Sequence, residues 1–194
     1  PNFEAAVAQA CRAEHAVAVN SATSALHLAC LALGVGVGDV VWTTPTTFVS
    51  SANCARFCGA EVDFVDINPD TWCLSAIRLE EKLHSHQEKG LPLPMVVIPV
   101  HLSGQACDLK EIAVLGRQYG FRIIEDASHA IGGSYLGGPI GNCCYSDITV
   151  FSFHPVKIIT TGEGGMALTN DSDLCRRMTL LRAHGITRNR EELD

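Results

Sequence analysis

Residues 109–126, LKEIAVLGRQYGFRIIED, decide the fold. The first eleven residues carry apolar side chains at helical spacing, with Asp108 in front as a suitable cap and Gly120 behind as the stop. The next four, 121–124, include three apolar residues and predict a buried strand. The run ends in two carboxylates at 125–126. This stretch therefore predicts a helix, a tight turn and a buried strand with a polar end.

Strand-like and helix-like segments alternate on both sides of this unit. Short apolar runs predict strands at 16–19, 40–42, 62–65, 95–98, 148–151 and 166–168. Helical spacing predicts helices at 24–33, 48–57, 79–86 and 174–183. Such alternation predicts an α/β domain with a mostly parallel sheet flanked by helices. Ligands bind these sheets beyond the carboxyl ends of the strands, so polar residues just after strands are the candidate site residues.

The composition argues against several classes of partner. Hydrophobic residues make up 47% and charged residues 18% of the 194, as in a well-buried globular domain. Fourteen basic and twenty-one acidic side chains give a net charge of -7, with no basic stripe. Nucleic acid and anionic membrane surfaces are therefore poor candidates. No apolar run is long enough to cross a bilayer, so no membrane association is expected.

Nine cysteines are spread at irregular spacing through apolar segments. An odd, scattered set predicts free, buried thiols in a cytoplasmic protein. Cys54 and Cys58 would share a helix face, where two thiols could contribute to a metal site. No second pair or His completes a tetrahedral set nearby in the sequence. We therefore expect these thiols to pack in the core and expect no metal.

The segment 20–26, NSATSAL, is a candidate anion site because it lies between a predicted strand and a predicted helix. Small residues there would expose backbone N–H groups at a helix N-terminus, where the helix dipole favours negative charge. Thr23 and Ser24 add hydroxyl donors. The competing interpretation is a simple helix cap by Ser or Thr.

Two further candidate side chains follow strands. Asp126 could be a metal ligand, a base or a counter-ion, or it could cap a following helix. Lys157 is flanked by Val156 and Ile158, and a lysine in partly apolar surroundings can act as an amine nucleophile. Its alternative is a surface lysine that keeps its ammonium in water. The glycines of TGEGG at 161–165 are expected to let the backbone turn tightly beside a bulky neighbour.

Together these three candidates predict one site at one edge of the sheet. They are an anion-binding helix end, a carboxylate and a lysine. Pyridoxal phosphate (PLP) needs this set: a phosphate site, a partner for its pyridinium nitrogen and an amine for a Schiff base.

The chain resembles the DegT/DnrJ/StrS-type nucleotide-sugar aminotransferases over essentially its whole length. The matching stretches are 21–26, 38–39, 47–49, 59–60, 125–127, 146–157 and 162–165. Segments 42–45, 51–56 and 154–161 resemble the pseudaminic-acid branch more than the perosamine-type or antibiotic-sugar branches. That branch uses glutamate to aminate C4 of a UDP-linked 4-keto-6-deoxy-N-acetyl sugar. The resemblance implies pyridoxal 5'-phosphate as cofactor, and a nucleotide sugar and glutamate as substrates.

The resemblance also implies a role for each candidate residue. Lys157 would be the Schiff-base lysine and the proton shuttle. Asp126 would pair with the pyridinium nitrogen, and Phe48 would stack on the ring, with ordinary core packing as its alternative. His129 stands where many relatives have Gln and would contact the ring oxygen. The cofactor phosphate would be held by Thr23, Ser24 and Ser152.

Finally, the resemblance implies a domain organisation. Residues 1–194 would be the PLP-binding large domain, followed in the full protein by a smaller C-terminal domain. The full protein would be a homodimer whose site draws on both subunits. Alternatives are an aminotransferase for another nucleotide keto sugar and a non-catalytic ligand-binding fragment. PLP-dependent sugar dehydratases carry His in place of the lysine, so Lys157 argues against that class.

Overall fold

The computed structural model describes residues 1–186; residues 187–194 of the predicted large domain lie outside the described range. The helices are α1 (Asn2–Cys11), α2 (Ala22–Ala32), α3 (Ser50–Phe57), α4 (Ala76–Glu88), α5 (Leu109–Tyr119) and α6 (Ser172–Arg182). The strands are β1 (His15–Val19), β2 (Val40–Thr43), β3 (Glu61–Phe64), β4 (Val96–Ile98), β5 (Arg122–Asp126), β6 (Ser134–Tyr135), β7 (Gly138–Pro139), β8 (Ile148–Ser152) and β9 (Gly165–Thr169).

Seven strands form one sheet in the order β1-β9-β8-β5-β4-β2-β3. Every neighbouring pair is parallel except the two that involve β9, which runs antiparallel to both β1 and β8. The short strands β6 and β7 form a separate hairpin. The prediction of an α/β fold with a mostly parallel sheet flanked by helices is confirmed.

Successive side chains of the central strands pack against different helices, as the two-residue repeat of a strand requires. Ile98 and Ile124 belong to a core cluster with residues of α2, α3 and α6. Val97 and Ile123 belong to a second cluster with residues of α4 and α5. The short, continuous apolar runs of the sequence therefore reflect strands that are covered on both faces. Within residues 1–186, no helix is long and apolar enough to cross a membrane.

The structure corrects several element boundaries. Helix α3 begins at Ser50, two residues after the predicted start, which leaves Phe48 outside the helix. Asp108 occupies the predicted cap position of α5 but makes no side-chain cap bond, whereas Gly120 ends that helix at φ 83° as expected. Helix α1 and the β6–β7 hairpin have no counterpart among the predicted elements.

The cysteines are all unpaired, and six of the nine are buried. Cys30 of α2 lies close to Cys54 of α3 and to Cys58, the C-cap residue of α3. Hydrogen bonds to the other two thiols, and then burial, raise the pKa of Cys30 far above its usual range. No group of three or more His, Cys, Asp or Glu within residues 1–186 is arranged to hold a metal ion.

Candidate active site

A cavity of about 390 Å³ opens where the parallel strands end. Its walls come from the segments that follow β1, β2, β4, β5 and β8, so the cavity lies at the carboxyl edge of the sheet. Six of the seven predicted site residues line it: Thr23, Phe48, Asp126, His129, Ser152 and Lys157. These side chains are up to 134 positions apart in the sequence (157 minus 23). The parallel topology brings them together, as expected for this class of sheet.

One end of the cavity is the N-terminus of α2. Ser21 caps the helix, its Oγ accepting a hydrogen bond from the backbone N–H of Ser24 at 3.1 Å. Helix geometry leaves the amides of Ala22 and Thr23 without an intrahelical acceptor. The Thr23 hydroxyl lies 2.7 Å from that of Ser50, the first residue of α3. The predicted cap and the predicted anion site therefore coexist, because Ser21 supplies the cap while the next amides line the cavity.

Ser24 is the predicted site residue that does not line this cavity. Its Oγ donates to Asn20 Oδ1 at 2.6 Å and lies 3.0 Å from Ser21 Oγ. The hydroxyl therefore stabilises the turn before α2 and is not available to the cavity in this arrangement.

Asp126, the last residue of β5, is a buried carboxylate with three hydrogen-bond donors. Its Oδ2 accepts from Ser51 Oγ at 2.6 Å. Its Oδ1 accepts from Ser128 Oγ at 2.6 Å and from the Ser128 amide at 3.2 Å. No helix follows, because residues 127–133 form turns, so the alternative of a helix cap is wrong. Within residues 1–186, no cationic side chain forms a salt bridge with Asp126, although it is only 4% exposed.

Lys157 and Phe48 have exposures that suit a binding wall. Lys157 is half-buried on the cavity and forms no salt bridge with any residue of 1–186. It therefore does not project from the surface as a solvated lysine would. Phe48 is 70% exposed, which excludes core packing, and its ring is left on the cavity wall in the loop before α3.

His129 is a neutral hydrogen-bonding group beside these charges. Its Nδ1 accepts from the backbone N–H of Ser103 at 3.2 Å. Burial, and then the positive charge of Lys157, lower the pKa of His129, while Asp126 has the opposite effect. Because Nδ1 accepts a hydrogen bond, the neutral form of this imidazole has its proton on Nε2.

The glycines of the predicted turn pack tightly against backbone and against an aromatic side chain. A Cβ on Gly164 would lie 3.3 Å from Phe153 Cβ. A Cβ on Gly165 would lie 2.5 Å from the nitrogen of Ala22 and closer still to the backbone of Ser21. Gly162 has φ 81°, a conformation that favours glycine. These glycines let the segment after Lys157 pass directly beside the helix end that forms the anion site.

The sequence interpretation missed several residues of the site. Ser51 and Ser128 hold Asp126, and His154 and Glu163 line the wall next to Lys157 with His154 Nε2 3.8 Å from Glu163 Oε1. Ser128 had a signal, because an Asp carboxylate commonly accepts a hydrogen bond from the backbone N–H two residues on. Ser51 had none, because its partner is 75 positions away.

Comparison with known proteins decides the family. The chain matches the DegT/DnrJ/EryC1/StrS aminotransferase family over residues 1–193. It belongs to this family. GDP-perosamine synthase of Caulobacter vibrioides is 44% identical over 191 residues, which are 97% of this chain and 48% of that protein. The UDP-4-amino-4,6-dideoxy-N-acetyl-beta-L-altrosamine transaminase of Campylobacter jejuni is 41% identical over 188 residues, again 97% and 48%.

A solved structure that is similar to this chain bears on the cofactor. A Bacillus subtilis protein with bound pyridoxamine phosphate (PMP) is 29% identical, with a TM-score of 0.87 over 98% of this chain and 41% of that one. PMP is the aminated form of PLP, the cofactor of this family. The family prediction is thus confirmed. The chain spans about half the length of the curated relatives it matches. The two identities do not separate the pseudaminic-acid branch from the perosamine branch, so the predicted branch stays a prediction.

Proposed function

We propose that the protein containing this chain is a PLP-dependent nucleotide-sugar aminotransferase. The observation that carries this proposal is that Asp126 and Lys157 line the same cavity. One is a buried anion without a cationic partner in residues 1–186, and the other is an amine without an anionic partner there. Burying a charged group without a partner costs free energy, and a bound ligand that pairs with the group would offset that cost.

The cavity offers a match for each polar part of PLP. The helix N-terminus with Thr23 and Ser152 offers amides and hydroxyls to a phosphate. Asp126 offers a carboxylate to a protonated ring nitrogen, which would supply the cation that it lacks. Phe48 offers an exposed aromatic face to a flat ring. These residues fit the group, and His129 adds a ring N–H donor.

When bound, PLP accepts electron density from the carbon next to a donor's amino group and carries that amino group to an acceptor. Lys157 Nζ would hold the cofactor in place and then, once released, move a proton at the donor carbon. Asp126 would keep the proton on the ring nitrogen through a charge-assisted hydrogen bond. Ser51 and Ser128 orient the Asp126 carboxylate, because each donates to a different oxygen at 2.6 Å.

The substrates belong to the same proposal. We infer that glutamate is the amino donor and that the acceptor is C4 of a UDP-linked 4-keto-6-deoxy-N-acetylhexose, as in pseudaminic-acid synthesis. The support is the 41% identity to a transaminase whose name specifies a UDP-4-amino-4,6-dideoxy-N-acetyl sugar. The 44% identity to GDP-perosamine synthase favours a second candidate, a GDP-linked keto sugar.

We propose that the full-length protein is a homodimer with a further small domain. The support is the exposed apolar rim of the cavity. Phe48 is 70% exposed, Val156 78% and Ile158 67%, and these residues lie on the wall or beside it. Exposed apolar groups at the mouth of a cavity are typical of a surface covered by another element. Residues 1–194 would then be the PLP-binding large domain, with the covering surface supplied from outside it.

The substrate proposal is tested with the full-length protein, PLP and glutamate. A panel of UDP-, GDP- and dTDP-linked 3-keto and 4-keto sugars is incubated, and the products are identified by mass spectrometry. Amination of the UDP-linked 4-keto N-acetyl sugar at the highest kcat/KM is expected. If the enzyme prefers the GDP-linked 4-keto sugar, the UDP-linked acceptor is wrong and the second candidate takes its place. No amination of any keto sugar, with PLP bound, would refute the aminotransferase proposal.

A further inference from the structure

The orientation of His129 depends on a one-turn 3₁₀ segment, Leu102–Gly104, that follows β4. The N–H of Ser103 occupies His129 Nδ1, so Nε2 is the ring nitrogen left for the cavity. Because this neutral imidazole carries its proton on Nε2, it can donate a hydrogen bond there but cannot accept one. The choice of tautomer therefore decides which ligand atoms His129 can contact.

This segment is shaped to approach His129 closely. Ser103 has φ 54° and ψ 21°, the left-handed conformation that non-glycine residues rarely adopt. Gly104 follows at φ 88°, and a Cβ on it would lie 3.0 Å from the backbone oxygen of His129. Both features bring the Ser103 amide towards the ring. A larger residue at 104 would push the segment away.

The segment is anchored at its start by a buried histidine. His101 is fully buried, and both its ring nitrogens are engaged. Nδ1 accepts from the Cys107 amide at 3.1 Å, and Nε2 donates to Glu125 Oε2 at 2.9 Å. The His101 amide also donates to the backbone oxygen of Asp126 at 3.0 Å. The segment is therefore clamped to the end of β5.

Glu125 is itself held on its other oxygen. Thr149 Oγ1 donates to Oε1 at 3.0 Å, and Ser146 Oγ donates to the same atom. Glu125 and Asp126 are adjacent but point to opposite faces of the sheet. Asp126 lines the cavity, whereas Glu125 holds His101 behind it.

We propose that Ser103 and Gly104 are positioning residues that fix His129 as the Nε2–H tautomer, with His101 and Glu125 as their anchor. The proposal deepens the proposed function and rests on it, since the resulting donor would face the cofactor cavity. The group that His129 receives must be a hydrogen-bond acceptor, such as a phenolate or carboxylate oxygen. Glu125 thereby acts on the site indirectly, through His101 in the segment after β4.

The test is ¹⁵N NMR of the full-length protein without cofactor, labelled at histidine and at the backbone. His129 is assigned by the loss of its signals in His129→Gln. The ring is expected to carry its proton on Nε2, with a scalar coupling across the hydrogen bond from Ser103 N to His129 Nδ1. This measurement needs no turnover, and His129→Gln, used for the assignment, is the one variant that has to fold. A proton on Nδ1, or no such coupling, would overturn the proposal even if the enzyme is active.

Two single substitutions at neighbouring positions test the role of the segment, one expected to disturb it and one expected to preserve it. Gly104→Ala should abolish the coupling and shift the tautomer ratio towards Nδ1–H by about fivefold, the equivalent of one hydrogen bond. Ser103→Gly keeps the amide and suits positive φ, so coupling and tautomer should remain as in the parent. An unchanged tautomer in a folded Gly104→Ala would contradict the positioning role. If the parent protein shows no aminotransferase activity, the proposed function is contradicted, whereas the tautomer result is unaffected.

Discussion

Replacing Asp126 with Asn separates its charge from its shape. The amide can accept from one of the two serine hydroxyls with its oxygen and donate to the other with its nitrogen. Both neighbours, Ser51 and Ser128, are therefore kept. We expect the cofactor-free protein to lose no more than about 1 kcal/mol of unfolding free energy, the usual net worth of one hydrogen bond. The substitution therefore leaves the cavity folded while removing its buried negative charge.

The expected fall in kcat follows from the hydrogen bond that Asp126 would make to the ring nitrogen of the cofactor. A hydrogen bond to a charged group contributes about 1.5–3 kcal/mol. If that contribution is realised mainly when the ring accepts electrons, kcat falls about 10- to 150-fold, since about 1.36 kcal/mol is tenfold in rate. The KM for the amino donor should change little, because the carboxylate would contact the cofactor and not the donor.

Steady-state kinetics with glutamate, and a parallel titration with PLP, measure both effects. The matched control is Ser128→Ala, which removes one donor to Oδ1 but keeps the charge. It should lower kcat by less than Asp126→Asn does. If Asp126→Asn retains the parent kcat with PLP bound, Asp126 does not act on the ring nitrogen, and the reasoning from its burial and its missing cation fails.

Three further predictions test other parts of the site. Gly165→Ala places a Cβ 2.5 Å from the nitrogen of Ala22, so PLP retention in equilibrium dialysis should be lost; tight PLP binding would contradict this packing. Phe48→Ala should change the free energy of unfolding, measured in urea, by less than about 0.5 kcal/mol, because the ring is exposed, yet weaken PLP binding; unchanged affinity would exclude stacking. Because the pKa of His129 is lowered by burial and then by Lys157, stability should fall as pH drops below about 6.5, and less so in His129→Gln; parallel pH curves would refute this.

The sequence was most informative where the signal is local. The helix of 109–119, its Gly120 stop and the following strand could be predicted because spacing and turn chemistry act over a few residues. The position of the site could also be predicted, because strands in a parallel sheet end at a common edge. Asp126 and Lys157 were found in this way.

The remainder depends on contacts that no local pattern encodes. Ser51 reaches Asp126 across 75 positions, and Glu125 reaches His101 across 24. Ser103 takes a left-handed conformation that its residue type disfavours, so nothing local predicts the bond to His129. The hydroxyl of Ser24 was expected to face a phosphate, but a neighbouring Asn20 engages it. Competition between nearby partners is settled only when the chain is folded.

The central claim is that Lys157 is the amine that binds the cofactor. The chain has four lysines, and the other three are at 82, 89 and 110. Lys82 is bonded to Asp63 at 2.7 Å, and none of the three lines the cavity. The full-length protein is incubated with PLP, reduced with borohydride, digested and mapped by mass spectrometry, with Lys157→Ala as the control. The phosphopyridoxyl mass should appear on Lys157 and disappear in the variant. A stoichiometric tag on any other lysine, or an undiminished tag in Lys157→Ala, would contradict the account.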